Sequence, residues 1–266
     1  MCKLLDISRA SYYHKVNQVI KPLVYEFDKE IIQIFIDSDK NYGTRKIKHE
    51  LFKIGVIMSR RKIGRIMLRN GLISKYTIKQ FKVHKQTVNL SNTGNELNRQ
   101  FDNNVLNDVI VSDLTYVNVA GKWHYICILI DIYNREIVGY SIGAKKSAEL
   151  VIESFMNANI DLSKIRLFHT DRGKEFDNKY IDQLLNAYDI KRSLSNPGTP
   201  YDNAIAEATY KIFKTEFCDK RFQSIEQLRM ETFKYVHWYN HKRIHGSLGY
   251  LSPVEYRLNN VYSKSV

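Results

Sequence analysis

Three acidic residues, Asp113, Asp171 and Glu207, stand where an apolar sheet and a following helix could converge them on a metal ion. The first lies in DVIVSDLTYVNV, whose Val109, Val111, Leu114, Tyr116 and Val117 have the β-branched and aromatic bias of a buried strand. An ionised carboxylate in such a strand must be paired or bound to a cation. The second, Asp171, closes the short apolar run IRLFHTDRG just before the turn signal Arg172-Gly173. A strand end beside a loop is a common place for a working residue. The third, Glu207, lies in YDNAIAEATYKIFKTEF, a helix that Asp202 or Asn203 can cap and on which Glu207, Lys211 and Lys214 share one face. The 35 residues between Asp171 and Glu207 leave room for a helix, a strand and a loop. Carboxylate oxygens are hard ligands suited to Mg²⁺ or Mn²⁺. By contrast, Asp131 in ILIDIYNREIVGY precedes the hairpin signal Tyr133-Asn134-Arg135 and reads as a turn residue. His169, two before Asp171, reads as a buried or supporting histidine.

Asp113 within SDLTY, Asp171 within HTDRGKEF, the 35-residue gap and Glu207 within PYDNAIAE resemble the Asp-Asp-Glu catalytic core of retroviral-integrase-like transposases. More narrowly, the chain resembles the second-reading-frame (OrfB-type) subunit of bacterial insertion-sequence transposases. A basic residue seven positions after the glutamate belongs to that pattern, and Lys214 fills it. The string Tyr239-Asn240-His241-Lys242-Arg243-Ile244-His245, with Ser252-Pro253 and Tyr256, resembles the family's C-terminal signature. The resemblance implies an α/β ribonuclease-H-like core with a mixed five-stranded sheet, and catalytic and metal-binding roles for Asp113, Asp171 and Glu207. It also implies two Mg²⁺ (or Mn²⁺) ions serving an in-line displacement at phosphorus, first with water in nicking and then with the freed 3′ hydroxyl in strand transfer. The implied partners are double-stranded DNA at element ends and at the target, further copies of the chain on DNA, and an upstream-frame subunit, fused or separate in the active form. A catalytically incomplete DNA-binding regulator and a general metal-dependent nuclease stay open as other readings.

The elements that must position these residues follow from pattern. DVIVSDLTYVNV, KWHYICILIDI and REIVGYSIGA read as three successive antiparallel strands, then SAELVIESFMNANI as a helix. IRLFH, NKYIDQLLNAYDI and KRSLS follow as strand, helix and strand, and the Glu207 helix comes last. In QSIEQLRMETFKYVHWYNHKRIH the apolar positions Ile225, Leu228, Phe233, Val236 and Tyr239 predict a helical extension. Its basic and aromatic end could bind nucleic acid through Arg243 or pack as core.

Upstream, Ile47, Leu51 and Ile54 form one helical stripe and Ile63, Ile66 and Met67 another, joined across Gly55. Ser59 caps the second helix and Gly71 ends it, a helix-turn-helix pattern. Arg60, Arg61, Lys62, Arg65 and Arg69 on its polar side are candidate DNA contacts, with Lys211 and Lys214. Charge agrees: of the net +13, the first 100 residues hold 20 Lys+Arg against 8 Asp+Glu, an asymmetry that points to a polyanion. The expected division is a helical DNA-binding region over 1–74, a basic linker over 75–104, the catalytic core over 105–222 and a C-terminal helical extension over 223–266. No apolar run nears the ~18 residues a bilayer requires, Met1-Cys2-Lys3 does not open a signal peptide, and three scattered cysteines imply neither disulfides nor structural zinc. These features predict a cytoplasmic protein, nucleoid-associated if the resemblance holds.

Overall fold

The computed structural model describes residues 8–16, 27–77, 95–97, 105–195, 204–218 and 220–262. The expected cap residues Asp202 and Asn203, and most of the linker, lie outside them. The chain divides into two units, Met1–Ile73 and Ser74–Val266.

The first unit holds helix α1 (Arg9–Val16) and three helices α2 (Asp28–Asp37), α3 (Thr44–Lys53) and α4 (Arg60–Arg69) that pack together. Ile31, Phe35, Ile47, Leu51, Ile63 and Ile66 are buried there, each pair one helical turn apart. The Ser59 hydroxyl accepts the Lys62 N–H at 3.3 Å, so α4 carries the predicted N-cap. Gly71, at φ +62°, follows the last turn in the left-handed region and ends the helix. Ile54 departs from its expected stripe. The helix stops at Lys53, and Ile54 is exposed ahead of the left-handed Gly55.

The second unit is built on strands β1 (Val109–Val119), β2 (Lys122–Asp131), β3 (Ile137–Gly143), β4 (Leu167–Thr170) and β5 (Lys191–Leu194). Helices α5 (Ala148–Met156), α6 (Lys179–Ala187), α7 (Ala204–Phe213), α8 (Ile225–His241) and α9 (Pro253–Tyr262) complete it. The sheet runs β3-β2-β1-β4-β5, antiparallel across its first three strands and parallel from β1 to β5. This is the mixed ribonuclease-H-like arrangement. Alternation sends Ile110, Cys127 and Leu129 to the face covered by α5 and α6. Val111, Val117, Ile126 and Ile128 go to the other face, under α7 and α8.

On α8 the buried positions are Leu228, Thr232, Tyr235 and Tyr239, one regular helical stripe. Phe233, expected inward, is 64% exposed because that stripe leaves it on the opposite side. Asn240 acts as a substitute strand: its Oδ1 accepts the Ile137 N–H at 2.9 Å and its Nδ2 donates to the Ile137 carbonyl at 2.9 Å, at the start of edge strand β3. Helix α8 therefore shares the core on this face of the sheet.

Asp131 ends β2 as a turn residue, accepting the N–H groups of Asn107 and Tyr133 at 2.8 and 2.9 Å. Two parts of the expected linker are held on this unit. The turn Lys75–Thr77 binds beside Glu216, and Leu97 is buried in the core. Among the described residues no helix is long and apolar enough to cross a membrane.

Candidate active site

Strand register brings the first two acids together. In the parallel pair of β1 and β4, Val111 lies opposite His169. Asp113 lies two residues further along β1 and Asp171 just past the end of β4, close enough for the charge of Asp171 to act on Asp113. Each carboxylate is oriented by a backbone donor: Leu114 N–H to Asp113 Oδ1 at 2.7 Å, and Gly173 N–H to Asp171 Oδ1 at 2.9 Å. The second is an Asx turn of the type its Asp-Arg-Gly sequence favours. Both acids hold their protons more tightly than free carboxyls. Burial is the main cause for each; the charge of Asp171 adds to it at Asp113, and that of Glu175 at Asp171.

Two residues that the sequence did not single out complete this centre. Glu175, four positions after Asp171, is buried against Gly173 so closely that a Cβ at 173 would collide with its carboxylate. A side chain at 173 would make the Glu175 carboxylate shift. Lys146, in the turn before α5, contacts the Glu175 carboxylate at 2.8 Å. Burial would weaken the Lys146 ammonium, but Glu175, then Asp171 and Asp113, more than compensate and raise its pKa. The only hint in the sequence was their nearness to turn signals, which marks many residues without a role.

Glu207 stands apart from the pair. It lies in the first turn of α7, with its side chain exposed, and among the described residues no three acids, histidines or cysteines lie close enough to hold a metal. The helix itself is anchored at the site. Tyr210 Oη, three residues on, accepts the Ile128 N–H at 2.8 Å and donates to the carbonyl of Asp113, bridging β1 and β2 at their Asp113–Ile128 pair.

Lys214 was expected two straight helical turns beyond Glu207. It follows directly on α7, where the helix widens after Phe213 into a π turn, Lys214–Cys218, and the exposed Lys214 brings its charge to bear on Asp113. Lys211 is exposed on the same helix.

His169 is buried between two serines of the β5 edge, with Nδ1 2.8 Å from Ser193 Oγ and Nε2 3.1 Å from Ser195 Oγ. Ser193 Oγ already accepts the Glu96 and Leu97 N–H groups, so its own proton goes to Nδ1. The imidazole thus ties β4 to the β5 edge.

Arg243 is corrected outright. It is 3% exposed and paired with Glu216 at 2.8 Å, which leaves no guanidinium surface for DNA. In the first unit Arg60, Arg61, Lys62, Arg65 and Arg69 are exposed along α4, and Arg69 also binds Asp28.

Residues 104–200 and 188–253 match integrase core domain families, and residues 25–80 match an HTH-like domain family. The transposase for insertion sequence element IS904 of Lactococcus lactis is 28% identical over 90% of this chain and 98% of its own length. A 31 kDa protein of insertion element IS600 from Shigella sonnei is 30% identical, covering 97% of each chain. The transposase for insertion sequence element IS629 of Shigella sonnei is 25% identical over 96% of this chain and 89% of its own. With the sheet, the paired aspartates and full-length relatives in agreement, the chain belongs to the family of insertion-sequence DNA transposases with an integrase catalytic core.

Proposed function

We propose that Asp113, Asp171 and Glu207 are the three catalytic acids of a metal-dependent transposase, and that they hold two Mg²⁺ or Mn²⁺ ions. The observation that carries this reading is that Asp113 on β1 and Asp171 just past the end of β4 lie close enough to interact, each with raised proton affinity. The donor set fits hard divalent cations: oxygen ligands only, and no hydrogen bond from a described residue to the second oxygen of either aspartate. When bound, such ions stabilise charge on the attacking and leaving oxygens of an in-line displacement at phosphorus.

The protein's own part is orientation. The Leu114 and Gly173 N–H groups fix the aspartates, and Tyr210 ties α7 to the backbone of Asp113. Glu207 joins the pair when α7 meets DNA and metal. Lys214 and Lys211 hold the phosphodiester backbone near the bond that breaks, and Arg60, Arg61, Lys62, Arg65 and Arg69 hold DNA along α4. The substrates are element ends and target DNA, worked on by an oligomer of this chain, with or without an upstream-frame segment fused to it.

The test is Mn²⁺-dependent cleavage and strand transfer of labelled element-end DNA. Asp113→Asn, Asp171→Asn and Glu207→Gln should each lower the rate by at least about a hundredfold, since metal stabilisation of the reacting oxygens is worth several kcal/mol. DNA affinity should stay close to that of the wild type. A variant that keeps the wild-type rate removes that residue from the centre.

A further inference from the structure

We propose that the buried Glu216–Arg243 ion pair is a positioning element of the active site, fixing the rotation at which α7 and its π turn present Glu207 and Lys214 to the two aspartates. This rests on the reading of those residues as the catalytic centre.

Glu216 is 1% exposed, and its carboxylate is saturated with donors. Arg243 reaches it twice, Nε to Oε2 and Nη2 to Oε1, both at 2.8 Å, the two-pronged geometry that constrains direction as well as distance. Tyr76 Oη donates to Oε1 at 2.5 Å and Tyr235 Oη to Oε2 at 2.9 Å. Lys75 Nζ donates to the Glu216 carbonyl at 3.2 Å. Three segments far apart in sequence thus meet on one residue of the π turn: the Lys75–Thr77 turn, α8 and the residues just after α8.

A buried ion pair is a poor stabiliser, because desolvating two charges offsets most of their attraction, and apolar replacements of equal volume often match it. What it supplies is geometry. π turns inside helices need a local cause and cluster at functional sites. Within this one Glu216 turns inward on Arg243 while Lys214, two residues earlier, stays exposed. At about 100° per residue, positions 214 and 216 fall on opposite faces of the helix, and the ion pair to Arg243 holds the Glu216 face inward. Tyr210 fixes the helix to the strands at Asp113, and Glu216 fixes its continuation to the C-terminal extension. Between them these two anchors leave α7 little freedom to roll, and Glu207 lies three residues before the first.

The experiment compares the full chain with the double variant Glu216→Gln/Arg243→Met, which removes both charges but keeps volume and an acceptor oxygen for one of the two tyrosines. The readouts are thermal melting, amide hydrogen exchange over residues 204–218 in metal-free protein, and single-turnover cleavage with its dependence on DNA concentration. The proposal expects a folded variant whose maximal cleavage rate falls at least tenfold with KM for DNA unchanged. Exchange over 204–218 should quicken at least tenfold while β1 and β4 stay protected. A folded variant with wild-type rate and wild-type exchange overturns it. If the wild-type chain proves inert on element ends, the functional reading fails, while hydrogen exchange still decides whether the pair holds α7. If the double variant does not fold, Tyr76→Phe and Tyr235→Phe replace it. Each deletes one donor to Glu216, and unchanged exchange and rate in both overturn the proposal.

Discussion

At the scale of single residues the decisive feature is that two carboxylates share one strand-end site before any cation arrives. Asp113 and Asp171 bind protons more tightly folded than unfolded, burial being the larger cause. For a carboxyl raised in this way, the stability supplied by the protonated form is complete below the unfolded value of about 3.9 and is lost as pH climbs through the raised folded value. A divalent cation competes with that proton. The thermal shift produced by millimolar Mn²⁺ should therefore be near zero at pH 4 and grow steadily toward pH 8. Melting curves across that range, for wild type and Asp113→Asn, measure it. A shift that ignores pH, or survives at full size in Asp113→Asn, would place the metal elsewhere. The aspartates were legible in sequence because a strand pattern with an acid in it poses an electrostatic problem that demands a solution. Glu175 and Lys146 were not, since an acid in one turn and a base in another declare themselves only once the fold brings them within 2.8 Å.

At the scale of elements, the sheet was readable and the phases of the later helices were less so. The strands and helices of the core follow the expected order because their apolar runs alternate or repeat cleanly between turn residues. On α8 the aromatic and basic residues are dense enough to support several helical faces, and the choice falls to tertiary packing. That packing buries Tyr235 and Tyr239, exposes Phe233 and turns Arg243 inward to an acid 27 residues upstream. Asn240 shows the same dependence, since an asparagine at the end of a helix gives no sign that it will serve as a strand. Its two hydrogen bonds to Ile137 close the outer edge of β3 where both residues are buried. Asn240→Leu would leave an N–H and a carbonyl without partners, each at a cost of about 1 to 3 kcal/mol. We expect a loss of roughly 2 to 5 kcal/mol in urea unfolding, with Asn240→Gln, which keeps the amide, losing less. Equal losses in the two variants would mean that volume matters there and the paired hydrogen bonds do not.

At the scale of the whole molecule, charge and packing divide the chain at different places. Charge suggests a cut near residue 100, with the basic excess before it. Packing places the break between Ile73 and Ser74, because Tyr76 donates to the Glu216 carboxylate and Leu97 is buried beneath a segment whose N–H groups bind Ser193. A chain beginning at Ser74 should thus melt as the intact second unit does, whereas one beginning at residue 101 should melt several degrees lower, without a buried leucine and a donor to a buried carboxylate. The two differ much less in their effect on DNA. Residues 1–73 carry 15 basic and 7 acidic side chains, among them the exposed cations of α4. For every phosphate that the shortened protein no longer neutralises, the dependence of log affinity on log salt should flatten by about 0.9. Removal of residues 1–73 should therefore account for most of the drop in slope, and removal of 74–100 for most of the drop in melting temperature. Measuring both quantities on three chains, full-length and the two truncations, separates the effects. If the chain starting at Ser74 keeps the full salt slope, the α4 cations do not hold DNA. If the chain starting at residue 101 melts with it, Tyr76 and Leu97 do not hold the core.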